Sequence, residues 1–156
     1  MKTTLLWVGK TTDRHLDDLI EDYRKRIGHY IPFEVKTIPA LKNAKHLTFD
    51  QQKQAEGEQI LSAVGQSAFV VLLDERGIER SSMEFARYIQ NQQSASRDLV
   101  FVIGGPFGFS SDVYERANDK VSLSRMTFSH QMIRLLFTEQ LYRALTILHG
   151  EKYHHE

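Results

Sequence analysis

Two short runs in this chain, Ala68–Leu73 (AFVVLL) and Leu99–Ile103 (LVFVI), contain no polar residue. Successive side chains of a strand point to opposite faces, so a strand with one wet face alternates apolar and polar residues. Unbroken apolar strands are covered on both faces, which in practice means a parallel sheet with helices on each side. That constraint sets the reading of everything between them.

The remainder of the chain supplies the covering elements. Thr3–Val8 is another short apolar run, closed by Gly9, and it predicts a buried first strand rather than the longer core of a secretion signal. Asp13 stands as an N-cap before a helix in which Leu16, Leu19, Ile20, Tyr23 and Ile27 recur at helical spacing, with Gly28 at its end. Phe33–Ile38 alternates as a half-buried strand between two prolines, and 41–49 predicts a loop. Asp50–Val64 predicts a polar helix interrupted by Gly57. Ser81 or Ser82 caps a short helix over MEFARYIQNQQ, Ser111–Asn118 predicts another, Val121–Leu123 a last strand, and Gln131–His149 a long final helix closed by Gly150. Alternating strands and helices define an α/β fold, a mainly parallel sheet flanked by helices, over a single domain spanning 1–156.

Composition narrows the function classes. With 156 residues, 41% hydrophobic and 26% charged, the chain has the makings of an ordinary core. No apolar run approaches the ~20 residues a membrane helix needs, so a cytoplasmic protein without a membrane role is expected. The absence of cysteine removes thiol nucleophiles, disulfides and thiolate metal sites. Twenty basic residues balance twenty acidic ones, so any contact with nucleic acid must run through a local patch or one completed by a second subunit.

Three places carry candidate chemistry. Gly104-Gly105-Pro106-Phe107-Gly108 follows directly on the second apolar strand, where parallel sheets bind their ligands and where glycine lets backbone amides approach. It matches neither the dinucleotide GxGxxG pattern nor a P-loop, so it is either a ligand cradle or a chain reversal. Asp74-Glu75-Arg76-Gly77 ends the first apolar strand and reads chiefly as a solvated turn, with Leu73 placed either to pack on a flat ligand ring or to fill core. In the last helix Met132, Ile133, Leu136, Phe137, Leu141, Ala144, Leu145, Ile147 and Leu148 leave only a narrow polar sector of Glu139, Tyr142, Arg143 and Thr146. Burial on both sides is implied, with a subunit interface as the second cover. Arg134 falls on that apolar side, where structural pairing is the favoured account, and Arg143 is one turn from Glu139. The Tyr153-His154-His155 tail is open between a frayed end and a working one, a metal site having neither the flanking spacing nor further ligands, and His130 is open between cap, ligand contact and core.

Taken in order, IGGPFG, LSRMTFSHQMIR and the terminal GEKYHHE resemble the SPOUT-class RNA methyltransferases, and within them the family of ribosomal RNA large subunit methyltransferase H. The likeness runs over the whole chain; Lys152, His155 and Ser129 stand where the family commonly has proline, a basic residue and proline. The resemblance implies a C-terminal trefoil knot holding S-adenosyl-L-methionine, a homodimer, and methylation of the N-3 nitrogen of a pseudouridine in helix 69 of 23S rRNA in the 70S ribosome. It implies cofactor contacts at Leu73, Gly104 and the loop Leu123, Ser124, Arg125, Met126, Thr127 and Phe128. Arg143 and His154 would act catalytically, His130 and Tyr153 on the RNA, with no metal. In that scheme Arg143 and the tail stabilise a developing ring anion, and His154 serves as a base. A related enzyme acting on another RNA, a non-catalytic ribosome-binding factor and a generic nucleotide-binding module are the alternatives.

Overall fold

The computed structural model describes residues 2–155. Five strands, β1 (Thr3–Val8), β2 (Phe33–Ile38), β3 (Phe69–Glu79), β4 (Leu99–Ile103) and β5 (Asp119–Ser122), form one sheet in the order β2-β1-β4-β3-β5. Every neighbouring pair is parallel. Five helices connect and cover them: α1 (Arg14–Gly28), α2 (Phe49–Ala63), α3 (Ser82–Ser94), α4 (Ser111–Arg116) and α5 (Met132–Leu148).

Strand alternation sorts the apolar residues into two cores. Leu5, Trp7, Val71, Leu99, Phe101 and Ile103 face one side, where α1, α3 and α5 lie. Leu6, Val8, Val70, Leu72, Val100 and Val102 face the other, closed by Ile60 of α2, Val113 of α4 and Phe109. All five residues of β4 are buried, as expected of a central strand covered on both faces. The helix caps follow side-chain chemistry. Asp13 accepts from the amides of His15 and Leu16, at 2.8 and 3.1 Å, and both Thr48–Gln51 and Ser81–Glu84 form reciprocal capping boxes.

Several boundaries differ from the sequence expectation for identifiable reasons. β3 does not stop at Leu73. Residues 74–77 bulge out and the strand resumes, pairing Ile78 with Val121 and Glu79 with Ser122. Gly77 permits this, because a Cβ there would stand 2.7 Å from backbone atoms of Lys120 and Val121. Gly57, an apparent flaw in α2, is where α4 comes closest: an added Cβ would meet the Ser110 hydroxyl at 2.3 Å. A single 3-10 turn, Ala44–His46, interrupts the loop ahead of α2. β5 is Asp119–Ser122, with Leu123 already in the following loop.

α5 sits among α1, α3 and the sheet, with Phe137, Leu141, Ala144 and Leu145 all but fully buried. Thr146, expected on the polar sector, is also fully buried; its hydroxyl donates to the Arg143 carbonyl at 2.7 Å, one turn back in the helix. Arg134 is 1% exposed. Its guanidinium donates to the His130 and Val8 carbonyls and to the Thr11 hydroxyl, at 3.2, 2.9 and 3.0 Å, and lies 4.6 Å from the Trp7 ring centroid. Its role within one chain is therefore structural, but its hydrogen-bond partners are neutral oxygens rather than a carboxylate. Burial pulls its pKa down to about 10, so it remains a cation at physiological pH.

Candidate active site

β3 is followed by a helix on one face of the sheet and its neighbour β4 by a helix on the other. A crevice opens where two such connections part, outside the carboxyl ends of the strands. The cavity found there has a volume of about 480 Å³, within the range that encloses a small cofactor. Three segments wall it: the bulge after Leu73, the glycine turn 104–108, and the loop running from Ser122 to His130.

Leu73, Gly104, Leu123, Ser124, Met126, Thr127 and Phe128 all line this cavity. Arg125 belongs to the same loop, but its side chain is 88% exposed and turned toward Glu79 at 3.6 Å; the lining residues do not include it. Local bonds hold the loop in place. The Ser122 hydroxyl donates to the Ser124 carbonyl, the Ser124 hydroxyl accepts from the Met126 amide, and the Thr127 hydroxyl donates to Glu75, at 2.9, 2.9 and 3.2 Å. The bulge that looked like a plain turn is part of the wall. Asp74 accepts from the Tyr114 hydroxyl and from the Arg76 amide, and burial together with that carboxylate pushes the Tyr114 phenol up to about 12.

His130 also lines the cavity. Burial, then the neighbouring Arg134 cation, lowers its pKa, so it is neutral at physiological pH. Three wall residues escaped the sequence reading, Lys53, Phe109 and Tyr114. The available signal was spacing: Lys53 stands one turn after Phe49 in α2, a helix read only as polar.

These surfaces suit S-adenosylmethionine in its chemistry. Leu73, Ile103, Leu123, Phe128 and Ile133 supply apolar area for a flat ring, while Asp74, Glu75 and a neutral His130 suit a cationic sulfur. Gly104 leaves the turn open against the Phe109 ring, which an added Cβ would meet at 3.1 Å.

The remaining candidates form a second cluster. Glu139 accepts from Arg143 (Nε 3.1 Å, Nη2 2.5 Å) and from the Tyr153 hydroxyl at 3.1 Å. The Tyr153 oxygen is also 3.2 Å from that of Tyr23, and its ring packs edge-on against Tyr142. Arg143 Nη1 lies 3.1 Å from His154 Nδ1. A guanidinium only donates, so Nδ1 is the acceptor and the neutral imidazole carries its proton on Nε2. The tail is thus docked rather than frayed. Arg143, Tyr153 and His154 do not line the large cavity. Glu139 borders a second cavity of about 340 Å³ that shares Val121, Ser122, Leu123 and Phe128 with the first. One chain therefore holds the two clusters side by side, with Leu123 and Phe128 between them.

A parallel α/β sheet with a cofactor-sized cavity at a strand-order switch, walled by a glycine turn and an ordered loop, defines the class of α/β enzymes that bind a small cofactor at the strands' carboxyl ends. The family model described as predicted SPOUT methyltransferase matches residues 1–154, and the chain belongs to that family. It is 55% identical over its full length to the whole of ribosomal RNA large subunit methyltransferase H of Bacteroides thetaiotaomicron. To the protein of the same name from Christiangramia forsetii it is 56% identical, over 99% of both chains. Among solved structures it is similar to a probable methylase family protein from Haemophilus influenzae. The TM-score is 0.53 at 11% identity, over 99% of this chain and 70% of that one, a likeness of fold. Among the described residues no helix is long and apolar enough to cross a membrane.

Proposed function

We propose that this chain is a single-domain, cytoplasmic S-adenosylmethionine-dependent methyltransferase that modifies the N-3 nitrogen of a pseudouridine in helix 69 of 23S rRNA on the assembled ribosome, working as a homodimer with a knotted C-terminal segment. The observation that carries the reading is the full-length identity to enzymes named for large-subunit rRNA methylation, joined to a cavity lined by seven of the eight cofactor residues the resemblance names.

S-adenosylmethionine supplies an electrophilic methyl group on a sulfonium. The chain's own part is positioning and charge. Leu73, Gly104 and the 123–128 loop hold the cofactor, and neutral His130 adds no repulsion. The pseudouridine N-3 nitrogen must shed its proton, to solvent water, before its lone pair is available. Arg143, fixed by Glu139, and His154, with its proton on Nε2, are assigned as the donors that would meet the ring anion that results. That tautomer fits His154 as a hydrogen-bond donor better than as the base. Because Arg143 and the tail stand beside the cavity rather than in it, a second subunit that lays its tail across the first would complete the site.

The test is transfer of labelled methyl from S-adenosylmethionine to 70S ribosomes that carry the pseudouridine without its methyl group, mapped by nuclease digestion and mass spectrometry. Label in helix 69 is expected. Label elsewhere moves the reading to another RNA. Cofactor binding without transfer to any RNA supports a non-catalytic ribosome factor.

A further inference from the structure

α2 opens with Phe49, a side chain 69% exposed. A solvent-facing phenylalanine at a helix start buries little and caps nothing; Thr48 does the capping. Phe49 is nonetheless held in place, stacked on Phe107 of the glycine turn with ring centroids 4.7 Å apart and planes 25° from parallel. Phe107 lines the cavity, and so does Lys53, one turn beyond Phe49 on α2. The stacked pair therefore stands at the cavity's rim.

The segment leading into α2, ahead of Glu56 and Glu58, departs from the charge balance of the whole chain. Between 41 and 55 the sequence places Lys42, Lys45 and Lys53 against one acid, Asp50. Lys42, Lys45 and His46 are exposed on and beside the 3-10 turn that leads into α2. An exposed aromatic face next to clustered cations is the combination that holds unpaired nucleotides: the ring stacks a base and the cations meet its phosphates.

Resting on the rRNA reading above, we propose that Phe49, stacked on Phe107, and the lysines at 42 and 45 form a platform that grips a nucleotide flanking the target base and leads the strand into the cavity. Neither the glycine turn nor α2 was assigned any RNA contact by the sequence. The platform lies on the opposite face of the sheet from α5 and the docked tail, so the substrate is held from two sides.

The experiment measures the KM for 70S ribosomes lacking the methyl group, and separately the equilibrium affinity for S-adenosylmethionine, in wild type, Phe49→Ala, Phe49→Trp and the double variant Lys42→Gln/Lys45→Gln. Loss of one stacked base is worth about 1–3 kcal/mol, so Phe49→Ala should raise the ribosome KM roughly 5- to 150-fold, with cofactor affinity unchanged and Phe49→Trp near wild type. The lysine pair should lower the slope of log affinity against log salt by about 1.4, at ~0.7 per single-strand phosphate contact. Ribosome constants unchanged in every variant, beside an active wild type, overturn the platform alone. A weaker cofactor affinity in Phe49→Ala at constant ribosome KM also overturns it, since the pair would then be a cofactor lid. A wild type that transfers no methyl to ribosomes sinks the rRNA reading and this inference with it.

Discussion

Replacing Arg134 with methionine keeps much of the side-chain volume but removes all of that residue's hydrogen bonds, leaving Gln131, bonded to Lys10 and Thr12, to tie the start of α5 to the segment after β1. Three hydrogen bonds go, to Val8, Thr11 and His130, each worth about 1.5–3 kcal/mol when the donor is charged. The stack on Trp7 goes with them. Against this stands relief from keeping a nearly fully buried cation, a penalty of several kcal/mol. The difference should be a loss of about 3 kcal/mol, a large share of the 5–15 kcal/mol that stabilises a typical domain. Arg134→Lys retains the charge but presents one compact ammonium in place of a planar fork, and should lose about half as much. Urea unfolding followed by fluorescence suits the question, because Trp7 is the only tryptophan and touches the altered side chain. A loss below about 1 kcal/mol in Arg134→Met, or a gain, would refute the view that these bonds outweigh the cost of burying the charge.

Other outcomes follow from single contacts. Gly57→Ala should destabilise the fold by about 1–2 kcal/mol despite alanine's better helix propensity. The new Cβ displaces Ser110, whose hydroxyl accepts from the Val113 amide as the N-cap of α4; a raised Tm would contradict this. Glu56 is 8% exposed, one of its carboxylate oxygens has no partner, and burial raises its pKa. An acid with a raised folded pKa costs stability at pH above its unfolded value of about 4.3. Glu56→Gln should therefore unfold at a higher temperature than wild type at pH 8, with the gap closing as pH falls toward 4. A gap that is constant or widens on acidification would count against the burial argument. His154→Ala should lower kcat while leaving the shape of the pH–rate profile unchanged, as befits a donor; loss of a limb with an apparent pKa near that of histidine would restore the base assignment.

Much of the fold was legible because burial writes itself into spacing. The unbroken runs of β3 and β4 announced a sheet covered twice, and the Asp13 and Ser81 caps fixed where helices begin. What failed to show was whatever depends on contacts between distant segments. Nothing local says that Ile78 rejoins the sheet after an acidic bulge, because the licence for it is the closeness of Gly77 to Lys120 and Val121. Helical projection flagged Arg134 as out of place but could not name Val8 and Thr11, well over a hundred residues away, as its partners. The same limit explains the tail. Tyr153 looked loose because its acceptor and its neighbouring phenol lie on α5 and α1. The 123–128 loop was assigned to the cofactor by resemblance alone, since apolar surface and backbone leave no charged signature to read.

Equilibrium binding of labelled S-adenosylmethionine to wild type and to Gly104→Val tests the central claim most directly, with thermal melts to confirm that both are folded. A valine at 104 must displace the Phe109 ring, which itself lines the cavity. The account predicts saturable binding of one cofactor per cavity in wild type and its loss in the folded variant. Saturable binding that Gly104→Val leaves intact would place the cofactor elsewhere, and no saturable binding in wild type would contradict the account at its base.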